Sequence, residues 1–196
     1  MKNTKLVVIV LVIIVAIGGF LVLTKNKGGS PTTVGTDKTT TTSSGSKTFT
    51  AKQAYPIAFA EAKKFASDVY LVNLSTSGTQ SNGESNSWFA TFYSPSKDVG
   101  YRVGVVDGKI NNPREEKKNN TDKVTDGWID STQAAKVGIP KCGTVIDTDY
   151  FFDLDVSKAK TEWSISCLVG EDKTLKILID AYSGDFLRTS QAGIGW

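Results

Sequence analysis

The sequence predicts an α+β protein in which two similar units, each a helix on a three-stranded antiparallel sheet, follow one N-terminal transmembrane helix. Three observations lead to this prediction. Residues 6–23 form an uncharged apolar run, one helix-start pattern recurs after 80 residues, and a strand that opens with Trp88 recurs at Trp163. The helices would each cover one face of an antiparallel sheet.

The N-terminal apolar run is predicted to cross a membrane. It reads LVVIVLVIIVAIGGFLVL, and lysines flank it on both sides. As a helix it spans about 27 Å, which is close to the hydrocarbon thickness of a bilayer. We therefore expect a transmembrane anchor over residues 1–24, with the lipid bilayer as the partner of residues 6–23.

The anchor is expected to stay attached. A secretory signal peptide has a shorter apolar region and then a small-x-small cleavage site, whereas TKNK follows this run at residues 24–27 and no cysteine for lipid attachment lies near it. Lys2, Lys5 and the α-amino group on one side, against Lys25 and Lys27 on the other, give a small positive-inside bias. We expect a single-pass protein with a cytoplasmic N-terminus and an extracytoplasmic C-terminal domain.

Residues 25–48 are predicted to be a flexible linker. Sixteen of the 21 residues from 28 to 48 are Gly, Ser or Thr. Such a segment cannot bury enough apolar surface to offset the entropy of ordering it. The linker would hold the folded domain away from the bilayer.

Charge and composition exclude several classes of function. Residues 49–196 carry 17 basic and 19 acidic residues, and without a basic face we expect no nucleic-acid partner. The chain has no histidine, which removes most acid–base catalysis near neutral pH and most zinc and copper sites. We expect no enzymatic activity, no catalytic residue, no metal ligand and no cofactor.

Two helix starts share one pattern. TAKQ at residues 50–53 and DSTQ at residues 130–133 each place an oxygen-bearing cap three residues before a glutamine, as in a capping box. Pro56 is expected to kink the first helix or to delay its start. Gly138 and Pro140 are expected to end the second helix early.

Each helix is followed by three predicted strands. The second strand of each copy opens with Trp88 or Trp163, and its period-two alternation makes these tryptophans the core residues of the two copies. The third strands end in turns rich in Asp and Gly. The predicted strands lie near residues 68–75, 88–93 and 101–106 in the first copy and 148–156, 163–168 and 175–180 in the second.

This order of features resembles the PepSY (peptidase propeptide-like) family. The resemblance covers residues 50–112 and 130–188 and is clearest in the second copy, through Trp163 and IDAYSGD at residues 179–185. The first copy departs from the family pattern through its long polar insert at residues 75–87.

The resemblance implies small extracytoplasmic domains, some of which restrain metallopeptidases as propeptides, and it supplies no catalytic residues. It divides the folded part into repeat 1 at residues 49–112, a connection at residues 113–129 and repeat 2 at residues 130–196.

Cys142 and Cys167 are the only cysteines of the chain. An even pair in an extracytoplasmic domain suggests a disulfide, and Cys167 lies on the strand against which the helix before Cys142 should pack. Buried free thiols are the alternative. A redox site is disfavoured because the chain has no Cys-x-x-Cys.

An acidic cluster leaves two alternatives open. Hard oxygen ligands at this density could hold Ca²⁺, but the spacing is not that of an EF-hand loop. A solvated strand face is the favoured interpretation. The cluster consists of Asp147, Asp149, Asp153 and Asp155.

Trp128 and Trp196 flank the second repeat. They are candidate binding aromatics, because exposed aromatic side chains mark binding sites. Buried packing between the repeats is the commoner alternative.

These features predict a membrane-anchored, extracytoplasmic PepSY-like module that binds an unknown protein or peptide partner, one route being strand addition to a sheet edge. The resemblance suggests restraint or regulation of an envelope protease. The alternative is a structural or spacer subunit of a cell-surface assembly.

Overall fold

The computed structural model describes residues 46–171 and 173–193. The predicted anchor at residues 1–24, the linker up to residue 45 and Trp196 lie outside the described residues. Within the described ranges, no helix is both long and apolar enough to cross a membrane.

The described residues form a helix and four strands, then a second helix, a short 3₁₀ helix (Ile139–Lys141) and four more strands. The helix α1 begins at Ala51, so Pro56 inside it does not delay its start. The bounds are α1 (Ala51–Phe65), β1 (Tyr70–Thr76), β2 (Ser87–Ser94), β3 (Val99–Val106), β4 (Lys109–Glu116), α2 (Ser131–Gly138), β5 (Phe151–Ser157), β6 (Lys160–Gly170), β7 (Lys173–Asp180) and β8 (Phe186–Gly193).

The predicted fold class is wrong, because the chain does not form two helix-plus-three-strand units. All eight strands join one antiparallel sheet in the order β4-β3-β2-β1-β5-β6-β7-β8. The first strands of the two halves meet at its centre, with Asn73 opposite Asp155 and Leu74 opposite Leu154. We call this β1–β5 junction the seam.

Two features of the chain account for the correction. The residues after the turns at Gly108 and Gly184 form full fourth strands, β4 and β8, which units of three strands do not include. The seam itself pairs backbone groups of β1 and β5 that two separate sheets would have left at open edges. Pairing between strands that are distant in sequence leaves no mark in the periodicity of either strand.

The two helices begin beside each other. Both predicted capping boxes are present, with Thr50 and Asp130 as the N-caps. The Asp130 carboxylate also accepts a hydrogen bond from the Lys52 N–H of α1, at 3.0 Å. The Ser131 hydroxyl accepts one from the Ala51 N–H, also at 3.0 Å. The start of α2 therefore caps both helices.

A continuous row of buried side chains crosses the face of the sheet that the helices cover. Trp88 on β2 and Trp163 on β6 lie on this face, and their rings meet edge to face with centroids 6.3 Å apart. The Trp88 indole N–H donates to the Phe49 carbonyl at 2.9 Å. The Trp163 indole N–H donates to the Ile129 carbonyl, also at 2.9 Å. The row consists of Val103, Ala90, Leu74, Leu154, Trp163 and Ile179.

The predicted disulfide between Cys142 and Cys167 is confirmed. Cys142 follows the 3₁₀ helix that continues α2, and Cys167 lies on β6. Both residues are buried. The bond therefore fastens the end of the second helix to the sheet.

The loop before β2 contacts the start of α2 so closely that Gly83 has no room for a side chain. Its φ is +84°, and an added Cβ would lie 2.5 Å from the carbonyl oxygen of Ser131. We expect Gly83→Ala to lower the free energy of unfolding by about 2 kcal/mol, because it combines a left-handed backbone with a steric clash. Urea denaturation measures the change.

Gly143→Ala is the matched control for this prediction. Gly143 also has a left-handed φ, +70°, but an added Cβ would meet nothing within 4 Å. Both variants place alanine on a left-handed backbone. The additional loss of unfolding free energy in Gly83→Ala therefore measures the steric clash between the two halves. Equal losses in both variants would contradict a tight contact at Gly83.

Candidate functional site

The face of the sheet that the helices leave uncovered, called here the helix-free face, is polar at its centre. Side chains alternate between the faces of a strand, so the residues next to the buried row point to this side. Paired positions form a polar row across six strands, with a cation at one end and three carboxylates at the other. The row consists of Arg102, Thr91, Asn73, Asp155, Glu162 and Asp180.

An ion pair between a buried carboxylate and a half-exposed arginine lies at the β8 side of this face. Both terminal nitrogens of Arg188 donate to the Glu162 carboxylate, at 3.1 and 3.2 Å. Glu162 is only 2% exposed, so the bidentate contact compensates a charge that would otherwise be buried alone. Ser164 is also buried, and its hydroxyl has no hydrogen-bond partner among the described residues.

Asp153 and Asp155 form the acidic centre of the helix-free face. The Asn73 amide donates to Asp153, and burial raises the pKa of the Asp153 carboxyl. Burial, followed by the negative charge of Asp153, raises the pKa of Asp155 to about 6. No ion pair with another described residue neutralises Asp155.

The raised pKa of Asp155 predicts a dependence of stability on pH. The pKa of this carboxyl is ordinarily 3.8 and is about 6 in the folded protein. Its contribution to stability is therefore fully present below pH 3.8 and is lost as the pH rises through about 6. Asp153, Glu162 and Lys176 are the charges that act on it. We expect Asp155→Asn to raise the free energy of unfolding at neutral pH by about 1 kcal/mol, after allowance for solvent screening.

Denaturation of the wild type and of Asp155→Asn, measured above and below this pH window, checks the prediction. The two proteins should be closest in stability at the acid end of the window and differ most at neutral pH. A difference that does not change with pH would contradict the assignment to Asp155.

A groove opens on the helix-free face beside the seam, beneath the segment that leaves β4. We call it the seam groove. It has a volume of about 290 Å³. Arg102 and Asp155 lie along it with opposite charges, and neutral side chains form the floor between them. Its lining includes Val72, Asn73, Thr91, Arg102, Asp155 and, from the segment 116–120, the charged residues Glu116 and Lys117.

The two edges of the sheet differ in character. The edge strand β4 reads KINNPREE, with Pro113 and four charged residues. The opposite edge strand β8 reads FLRTSQAG, with no proline and one charge. That charge belongs to Arg188, which points to Glu162 on the face of the sheet and not along the edge.

The residues predicted from sequence occupy different parts of the molecule. Trp128 is 4% exposed, and its ring lies in the core against Tyr55 and Trp163. Trp196 lies outside the described residues. Trp88, Trp163 and the two cysteines are buried on the helix-covered side.

The acidic cluster divides between a loop and a strand. Asp153 and Asp155 lie on the helix-free face of β5, whereas Asp147 and Asp149 precede that strand. In residues 46–171 and 173–193, no three histidine, cysteine, aspartate or glutamate residues are placed to hold a metal ion.

Sequence reasoning missed the seam groove because its walls come from both halves. A signal is present in the strands themselves. Asn73 interrupts the apolar sequence of β1, and Arg102 interrupts that of β3. Polar residues at the outward positions of these strands indicate a second face of the sheet that is polar and partly covered.

Comparisons with known proteins support the fold and little else. No family model matches the chain, so the resemblance to the PepSY family gains no support there. No curated protein matches it. The chain is similar in fold to the crystal structure of a protein from Clostridium difficile 630 that is described as a candidate lipoprotein, with a TM-score of 0.51, 17% identity, and coverage of 70% of this chain and 92% of that chain.

Proposed function

We propose that the protein is a membrane-tethered, extracytoplasmic binding module that takes an extended segment of a partner protein along the outer edge of β8. The difference between the two edges of the sheet carries this proposal. Proline and closely spaced charges protect an edge strand from pairing, and β4 has both whereas β8 has neither. Among the described residues, no strand pairs with the outer side of β8.

The tether and the location rest on other observations. The apolar run at residues 6–23 and the linker rich in Gly, Ser and Thr are typical of a domain held outside a membrane. The disulfide fits an oxidising compartment. The solved structure of similar fold is described as a candidate lipoprotein. The PepSY resemblance suggests an envelope protease as the partner, and this part rests on the resemblance alone.

Proline substitutions in β8 test the proposal. Phage-displayed peptides would first be selected for binding to the full-length protein in detergent. Consecutive residues of an edge strand direct their N–H groups alternately inward and outward, so one of Thr189→Pro and Ser190→Pro leaves the β7–β8 pairing intact. We expect that variant to keep its melting temperature and to lose peptide binding.

Thr189→Ala and Ser190→Ala are the matched controls, because they keep the backbone N–H groups, and both should bind normally. Undiminished binding by both proline variants would contradict strand addition at β8. Self-association that yields no peptide binders would instead favour a structural subunit of a surface assembly.

A further inference from the structure

We propose that the seam groove binds a short peptide with free ends, about two or three residues long, through its carboxylate at Arg102 and its ammonium group at Asp155. This inference goes beyond partner binding at β8 and does not depend on it. The occupant is small and carries both charges, in contrast to an extended segment within a larger chain.

Arg102 is the first part of the case. Its side chain lies against the ring of Phe89, with the guanidinium carbon 4.9 Å from the ring centroid. The Nε atom is buried and has no hydrogen-bond partner among the described residues, and none of the ion pairs of the described chain includes Arg102. A half-buried guanidinium without an acceptor lacks the anion that its fork geometry matches.

Asp155 is the second part of the case. It lines the same groove, whereas the neighbouring Asp153 is already engaged by Asn73. Glu162, the next carboxylate along the row, is satisfied by Arg188. The Asp155 carboxylate therefore keeps its acceptor positions open toward the groove, and a cation is the group that would fill them.

The size of the groove selects the length of the ligand. Arg102 on β3 and Asp155 on β5 are three strand spacings apart along one paired row, which corresponds to about 14 Å between their Cα atoms. Their side chains shorten this gap, but a single amino acid still cannot reach both. The volume of about 290 Å³ is at the small end for ligand pockets, which favours a ligand of a few residues.

The groove floor offers partners for the groups between the two ends. Asn73 and Thr91 lie between Asp155 and Arg102 in the row, and both can donate and accept hydrogen bonds. A peptide bond has one donor and one acceptor. The floor therefore suits a peptide backbone better than a hydrocarbon spacer between two charges.

Triglycine and its two blocked forms test the inference. Binding to the full-length protein in detergent would be measured by calorimetry for triglycine, N-acetyl-triglycine and triglycine amide. We expect triglycine to bind and each blocked form to bind about tenfold more weakly, because each lacks one charge-assisted contact. Absence of triglycine binding, or equal binding of the N-acetyl form, would overturn the inference; the latter result would indicate an anion site only.

Single substitutions assign each end. The Arg102→Gln variant should bind triglycine about tenfold more weakly than the wild type does, and it should bind triglycine and triglycine amide equally. The Asp155→Asn variant should bind triglycine and N-acetyl-triglycine equally. Arg114→Gln is the control, because Arg114 pairs with Arg102 across β3 and β4 but does not line the groove. Discrimination that survives both substitutions would overturn the assignment. The β8 proline variant that keeps its melting temperature should bind triglycine normally, so failure at one site is distinguishable from failure at the other.

Discussion

Replacement of Trp163 by alanine is expected to destabilise both halves of the domain together, by about 4 kcal/mol. The ring is completely buried and contacts Trp88, Trp128 and Phe152 edge to face, at centroid distances of 6.3, 6.0 and 6.2 Å. The substitution removes these contacts and leaves the Ile129 carbonyl without its indole donor. A cavity and an unsatisfied acceptor add to the loss.

Urea denaturation followed by tryptophan fluorescence and by circular dichroism measures this effect. A single shared transition is expected for both probes, since the core is common to the two halves. Phe151→Ala is the control, because Phe151 is an aromatic residue of β5 that is 48% exposed, and it should change stability little. A second transition that keeps the wild-type midpoint would show that the halves fold independently.

Removal of the disulfide is expected to lower the free energy of unfolding by about 3 kcal/mol. The bond joins residues 25 positions apart, and breaking it restores conformational freedom to the unfolded chain. The double substitution Cys142→Ala with Cys167→Ala removes the bond without leaving a polar group in the buried site. Chemical denaturation of the wild type and the double variant measures the difference.

A reducing agent provides the control for the disulfide. It should lower the stability of the wild type by a similar amount and leave the double variant unchanged. A double variant as stable as the oxidised wild type would contradict a structural role for the bond.

Local chemistry of the folded part was predictable from sequence. The glutamine three positions after Thr50 and after Asp130 identified these residues as helix caps, and both capping boxes are formed. The two cysteines indicated a disulfide because an even number of cysteines in an extracytoplasmic domain commonly forms one. Each of these features is decided within a few residues or by a count.

Long-range pairing was not predictable in the same way. The seam depends on β1 meeting β5, and Asn73 lies 80 positions or more from its partners Asp153 and Leu154. Alternation shows which side chains share a face but not which strand lies next to which. The polar row of the helix-free face was not predicted for the same reason, because it forms only when the two halves share one sheet.

The two proposed sites use different parts of this shared sheet. Strand addition would use backbone groups at the outer edge of β8, whereas a short peptide would lie across the side chains beside the seam. Only the second needs both halves of the chain, since Arg102 comes from β3 and Asp155 from β5.

Hydrogen exchange of the full-length protein, with and without a selected peptide, tests strand addition most directly. Pairing at the edge predicts slower exchange at alternate amides of residues 186–193, those that point away from β7, with β4 unchanged. Unchanged exchange throughout β8, with new protection confined to the helices or to β4, would contradict it.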